Sequence, residues 1–210
     1  MAGQMEKTGK EIVFGVSGAS GSALAIGFLR AIAPLDALGR VHLVVSSSAL
    51  AVARQEVGAG FESPAAFLRA LELPAKAAKK IQLHGNEDLA APISSGSFPT
   101  GGMAVIPCSA GTLGAIAHGI SRGLLQRAAD VTLKERRPLV LSFRESPYSL
   151  VHLENMSAVT RAGGIVMPPT PAFYIESPSI DRLMGAYFFR VARVFGLELP
   201  GDFTWHGPRR

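Results

Sequence analysis

The stretch that most limits the possible folds runs from Met103 to Pro147, MAVIPCSAGTLGAIAHGISRGLLQRAADVTLKERRPLVLSFRESP. Its apolar start, Met103 to Ile106, stops at Pro107 and opens onto Cys108-Ser109-Ala110-Gly111-Thr112. That pattern predicts a strand ending in small and hydroxyl residues just where a helix begins. The first amides of a helix have no intrahelical acceptor and carry a partial positive charge, so such a junction is a ready anion cradle. Pro138 to Phe143 reads as a second buried strand, and it ends in Arg144-Glu145-Ser146-Pro147. In open α/β sheets ligands sit beyond the carboxyl ends of the strands. Two neighbouring strands thus deliver a cradle, an arginine and a carboxylate to one edge, a combination suited to a phosphate-bearing ligand and proton transfer.

The remaining chain alternates strands and helices around that stretch. Glu11 to Ser17, Val41 to Val45, Lys80 to Leu83 and Gly164 to Met167 read as strands. Ser22 to Ile32, Ala49 to Val57, Leu150 to Arg161 and Ser179 to Phe195 read as helices, and Ser63-Pro64 opens another in the preferred cap order. Alternation of this kind predicts a single doubly wound α/β domain, a parallel sheet with helices on both faces, of the Rossmann-like or flavodoxin-like kind. The domain is expected over 11–200, with a disordered leader at 1–10 and a tail at 201–210.

Composition narrows the partners. Charged residues make up 18% of the chain, and none that is formally charged occurs from Leu89 to Ser121. Prolines and glycines interrupt that span too often for a membrane helix, so it is expected to be buried, partly between subunits. The net charge of +5 permits anionic ligands. The basic residues are scattered and lack interleaved aromatics, which favours a small phosphorylated ligand over nucleic acid. A single cysteine leaves no internal disulfide, and the polar start of the chain does not resemble a signal peptide; both fit the cytoplasm. The five histidines show no metal-ligand spacing, so no metal is expected.

Gly15-Val16-Ser17-Gly18-Ala19-Ser20-Gly21 is close to a dinucleotide fingerprint without matching it. The second strand ends in Ser46-Ser47-Ser48 and offers no carboxylate for an adenosine ribose, so a mononucleotide fits better than NAD. The turn also suits plain strand-to-helix packing. Cys108 could be a thiolate activated by a helix start or a packed small residue. Glu145 beside Arg144 could be a general acid or base, or half of a structural ion pair. Lys134 and Arg190 on their own read as solvated helix positions, and Tyr174 as a loop aromatic.

Together the motifs GVSGASG, ISSGSF, IPCSAGTL, GLLQRAADVTLKERRPLVLSFRESP and MPPTPAFY resemble the flavin prenyltransferases, formerly described as carboxy-lyase partner proteins, over Ile12 to Pro200. The resemblance implies an enzyme that joins a dimethylallyl group from dimethylallyl phosphate to N5 and C6 of reduced FMN. Prenylated FMN is the product, used by a separate decarboxylase. It also implies a homododecamer with sites at subunit junctions. Carried over by motif, Gly18, Ala19, Ser20, Ser46, Ser109, Ala110, Gly111, Thr112 and Arg144 bind the flavin. Lys134, Tyr174, Arg190 and Trp205 hold the prenyl phosphate and its chain. Glu145, Ser20 and Glu56 are the catalytic candidates. Ser47 and Ala110-Gly111 depart from the pattern of many relatives. Two other readings share the fold: an FMN-dependent cysteine-type decarboxylase, disfavoured because Ala49 to Val57 contains no histidine, and a non-catalytic flavin carrier.

Overall fold

The computed structural model describes residues 9–175, 179–201 and 203–204. Six strands, all parallel, form one sheet in the order β3-β2-β1-β4-β5-β6. They are β1 (Lys10–Val16), β2 (Leu38–Val45), β3 (Ile81–His84), β4 (Met103–Cys108), β5 (Leu139–Phe143) and β6 (Ile165–Val166). The helices are α1 (Ser22–Ile32), α2 (Ser47–Glu56), α3 (Pro64–Arg69), α4 (Ala75–Ala78), α5 (Ala110–Ala117), α6 (Leu124–Lys134), α7 (Leu150–Arg161) and α8 (Ile180–Val194). This is the doubly wound α/β sheet expected from the alternation. The final strand is shorter than Gly164 to Met167 suggested, because Pro168 and Pro169 cannot extend a ladder.

Side chains on successive strand residues point to opposite faces, and each face builds its own core. Ile12, Phe14 and Val16 of β1 join Ala104 and Ile106 of β4 under α1 and α8. Phe28 stacks on Phe14 at 5.7 Å, and the Phe188 ring meets Phe28 edge-on at 5.7 Å. Gly27 lets this happen, since a Cβ there would lie 3.0 Å from the Phe188 ring. On the other face Val13, Met103, Val105, Leu139, Leu141 and Phe143 pack against α5 and α6.

The uncharged span from Leu89 to Ser121 is explained largely within the chain. Its centre is β4, buried at every position between β1 and β5. The Pro/Gly/Ser loop before it is tied down from outside: Arg137 donates to Phe98 O at 2.8 Å and Gly96 O at 2.7 Å, and Arg127 donates to Ser94 O at 3.1 Å. Exposed large apolar side chains stand near both ends of the span, at Leu89 and Ile120, and outside it at Leu150 (69% exposed) and Val151 (62%) on α7, and at Phe173 (80%) and Ile180 (79%) around the approach to α8.

Candidate active site

Helices α1, α2 and α5 begin at the carboxyl edge of the sheet, directly after the neighbouring strands β1, β2 and β4, and their N-termini point to that edge. Pro107 lacks an N–H and the β4–β5 register shifts between Val105 and Cys108. Cys108 O then accepts from Arg144 N at 3.2 Å, which seats the end of β5 directly beside the cradle.

Ser109 caps α5. Its Oγ accepts from Thr112 N at 3.3 Å and donates to Thr112 Oγ1 at 3.0 Å. Ser17, which the sequence did not single out, couples the two turns: its hydroxyl donates to Pro107 O at 3.0 Å and accepts from Ser109 N at 2.9 Å. The amides of Ala110 and Gly111, in the first turn, have no acceptor within the helix. A Cβ built on Gly111 would meet nothing within 4 Å, so the first turn opens onto free space. A phosphate or a flavin edge fits this junction: hydroxyls, unused amides and a helix N-terminus converge where no side chain intrudes.

The turn after β1 is built for close approach. A Cβ on Gly18 would lie 2.5 Å from the Ser48 side chain, and Gly21 has φ +118°, a conformation that favours glycine. Ser46 caps α2 by accepting from Ala49 N at 3.1 Å. Glu56 reaches back from the end of α2 to the start of α1, where its carboxylate accepts from Gly21 N at 3.0 and 3.1 Å and from Ser22 N at 2.8 Å. Burial raises its pKa, yet hydrogen bonds from Ser20, Ser22 and Gly21 outweigh it and hold the carboxyl below the usual range. Glu56 thereby supplies the cap that Gly21 cannot, and it fixes Ser20.

Arg144 is exposed and Glu145 half-buried at the end of β5, with Glu145 Oε1 accepting from Ser146 N at 3.1 Å. Among the described residues, the ion pairs do not include Arg144 or Glu145, so the structural-pair explanation for their adjacency fails. Cys108 is fully buried and burial pushes its thiol far above the ordinary range, which makes it packing and not a nucleophile.

The other sequence candidates lie elsewhere. Arg190 borders a cleft of about 290 Å³ between α8 and the segment Ile165 to Ala172, and Tyr174, 49% exposed, follows that segment. Lys134 ends α6. That helix starts beside Asn86, at the carboxyl edge, where Leu124 N donates to Asn86 O, and it runs back to the start of β5. Lys134 therefore emerges at the opposite edge, paired with Glu135 beside Gly96. Trp205 lies outside the described residues. The histidines, which show no metal-ligand spacing in the sequence, include a buried pair, with His42 Nδ1 3.0 Å from His84 Nε2 and His42 Nε2 3.1 Å from Glu11. Among the described residues no group of three or more metal-ligating side chains is placed to hold an ion.

With this geometry in hand, comparison with known proteins decides the family. Residues 2–187 match the Flavoprotein family. The chain is 45% identical to Flavin prenyltransferase UbiX of Deinococcus radiodurans, with 92% of each chain covered. The chain belongs to the flavin prenyltransferases. It is also 40% identical to Flavin prenyltransferase UbiX of Escherichia coli K12, covering 94% of this chain and 99% of that one. Among solved structures, AnUbiX (PadA1) in complex with FMN and dimethylallyl pyrophosphate superposes with a TM-score of 0.81 at 42% identity, over 96% of this chain and 100% of that one. A dodecameric FMN-dependent Ubix-like decarboxylase from Escherichia coli O157:H7 gives 0.79 at 40% identity, over 94% and 100%. The cypemycin decarboxylase CypD, at 15% identity and a TM-score of 0.59, shares the fold alone.

Proposed function

We propose that this flavin prenyltransferase joins the dimethylallyl group of dimethylallyl phosphate to N5 and C6 of reduced FMN, and that prenylated FMN passes to a separate decarboxylase. The observation that carries the reading is near full-length identity of 45% to a flavin prenyltransferase, in a chain whose cradle is open where a flavin phosphate and ring edge would enter. FMN, when bound, supplies the two nucleophilic positions.

The chain's own groups do the rest. Ser109, Thr112 and the amides of Ala110 and Gly111 bind the flavin phosphate and ring edge; Gly18, Ala19 and Ser46 border the same ligand, with Ser20 held in place by Glu56. Breaking the carbon–oxygen bond to phosphate builds negative charge on the leaving oxygen. Arg144, Lys134 and Arg190 stabilise that charge more in the transition state than before it, which is what accelerates the step. Tyr174 and Trp205 offer π faces to an electron-poor allyl group. As the ring closes at C6 the prenyl double bond must gain a proton while C6 loses one, and Glu145 would give the first and take the second. Because Lys134 sits at the opposite edge of its own sheet, these groups meet only when copies of the chain assemble, in agreement with a dodecamer.

No helix among the described residues is long and apolar enough to cross a membrane. We place the protein in the cytoplasm, a compartment that suits a lone buried thiol. The test is direct: anaerobic incubation with reduced FMN and dimethylallyl phosphate, followed by mass spectrometry of the flavin. The expected product is FMN carrying one added C5H8 unit. Recovery of unmodified FMN, with protein that binds it, would leave the flavin-carrier reading standing instead.

A further inference from the structure

Tyr187 is buried at 4% exposure on α8 and is not among the groups that the prenyl-transfer reading uses. Its hydroxyl lies 2.7 Å from Ser142 Oγ on β5 and 3.0 Å from Met167 O, just past β6. A phenol has one proton to give and a carbonyl can only accept, so Tyr187 donates to Met167 O and the Ser142 hydroxyl donates to Tyr187. Burial raises the phenol to about 12, which keeps it a neutral donor. Three elements are clipped together at a single oxygen.

Each of those elements leads into a segment of the proposed prenyl-phosphate site. Ser142 stands two residues before Arg144 and three before Glu145. Met167 closes β6, its N–H donating to Leu141 O at 2.9 Å. The chain then leaves through Pro168-Pro169-Thr170-Pro171 toward Tyr174. With no N–H on either Pro168 or Pro169, the ladder cannot direct that exit. Arg190 lies three residues beyond Tyr187, on the same face of α8 and on the same cleft. Apolar packing through Phe188 and Val191 holds α8 to the α1 side of the core. Such contacts are non-directional, and the same cluster includes Val140 of β5, with Ile165 of β6 packed against it; the hydroxyl adds a directional contact from α8 to β5 and to the end of β6.

We propose that Tyr187 is a positioning residue for prenyl-phosphate capture, its hydroxyl setting Arg190 and the segment leading to Tyr174 relative to the end of β5. The proposal rests on the prenyltransferase reading. A generic core role would affect stability only.

The test is Tyr187→Phe, with Val191→Ala as the comparison. The second variant opens a cavity in the same helix and leaves the hydroxyl untouched. Four quantities are read at a temperature well below either melting point: KM and kcat for prenylation, FMN affinity by fluorescence, and calorimetric affinity for dimethylallyl phosphate in the unreactive oxidised-FMN protein. Tyr187→Phe should raise both KM and the calorimetric Kd about tenfold, within the range that misplacement of roughly 1 Å produces. Its FMN affinity should stay near wild type, kcat should also fall because Arg190 serves the transition state, and Val191→Ala should lower the melting temperature without moving KM or kcat. An unchanged Kd and KM in Tyr187→Phe, or an equal rise in both variants, overturns the proposal. Wild-type protein that binds dimethylallyl phosphate but forms no adduct overturns the enzyme reading instead, and the calorimetric arm still decides the role of Tyr187.

Discussion

At the residue scale, Glu145 and Glu56 are two carboxylates with different partners. Among the described residues Glu145 accepts one local amide and no cation, so it is available for proton transfer. Glu145→Gln keeps an oxygen for Ser146 N and removes only the basicity. Stopped-flow absorbance of reduced, FMN-loaded protein should show flavin binding near wild type and adduct formation slower by ~10²–10⁴. Formation at the wild-type rate would remove Glu145 from the chemistry. Glu56, by contrast, is committed to three amide contacts at the start of α1. Its folded pKa is depressed, so the unfolded chain takes up the proton more readily. The stabilisation is therefore complete above the ordinary glutamate range and is lost as pH falls through it toward the folded value. Glu56→Gln should cost about 1 kcal/mol at neutral pH, a cap-sized loss discounted for exposure. The difference should shrink on acidification, as followed by denaturant melts across pH. The sequence could flag Glu145 because Arg144-Glu145 closes an apolar strand. It could not assign Glu56, whose partners are more than thirty residues away and whose capping role appears only once α1 and α2 are side by side.

At the element scale, the strand–hydroxyl–glycine–helix junction from Met103 to Thr112 was legible because every residue in it acts locally. The apolar run makes β4, Ser109 caps, and α5 starts where the small residues begin. The arginine clamps on the loop before β4 were not legible, since nothing local to Arg127 or Arg137 shows which carbonyls the fold puts in front of them. The same holds for the buried His42–His84 pair, which needs β2 and β3 to be neighbours. Gly111 separates folding from binding at this junction. Its backbone tolerates a side chain and a Cβ meets nothing in the chain, so Gly111→Ala should gain up to about 0.5–1 kcal/mol by relieving the entropic cost of glycine in a helix. The added methyl group would occupy the space before the first turn, and FMN affinity should fall. A thermal melt of the apo protein paired with a fluorescence titration checks both signs. Higher stability with unchanged FMN affinity would mean that the flavin does not approach this turn.

At the scale of the whole molecule, the residues proposed for prenyl transfer are divided between opposite ends of one sheet. Lys134 ends α6 just before β5 begins, and Glu145 follows where β5 ends. A five-residue strand spans roughly 16 Å at about 3.3 Å per residue, too far for both groups to serve one phosphate within a single chain. Symmetric assemblies bring different surfaces of identical chains together, so a shared site can draw Lys134 from one copy and Glu145 from another. The exposed apolar residues Leu150, Val151, Phe173 and Ile180 have the character of surface that such an assembly covers. A mixing experiment tests this arrangement without needing the assembly's size. Lys134→Ala and Glu145→Gln proteins, each nearly inactive alone, are dissociated, mixed in equal amounts and reassembled. If each site takes the two residues from different chains, roughly a quarter of the hybrid sites carry both native groups by random pairing, and activity should return to about that fraction of wild type. If one chain supplies both residues, every site in every hybrid lacks one of them and no activity returns. Recovery near a quarter, with neither variant active alone, would place the active site across the boundary between chains.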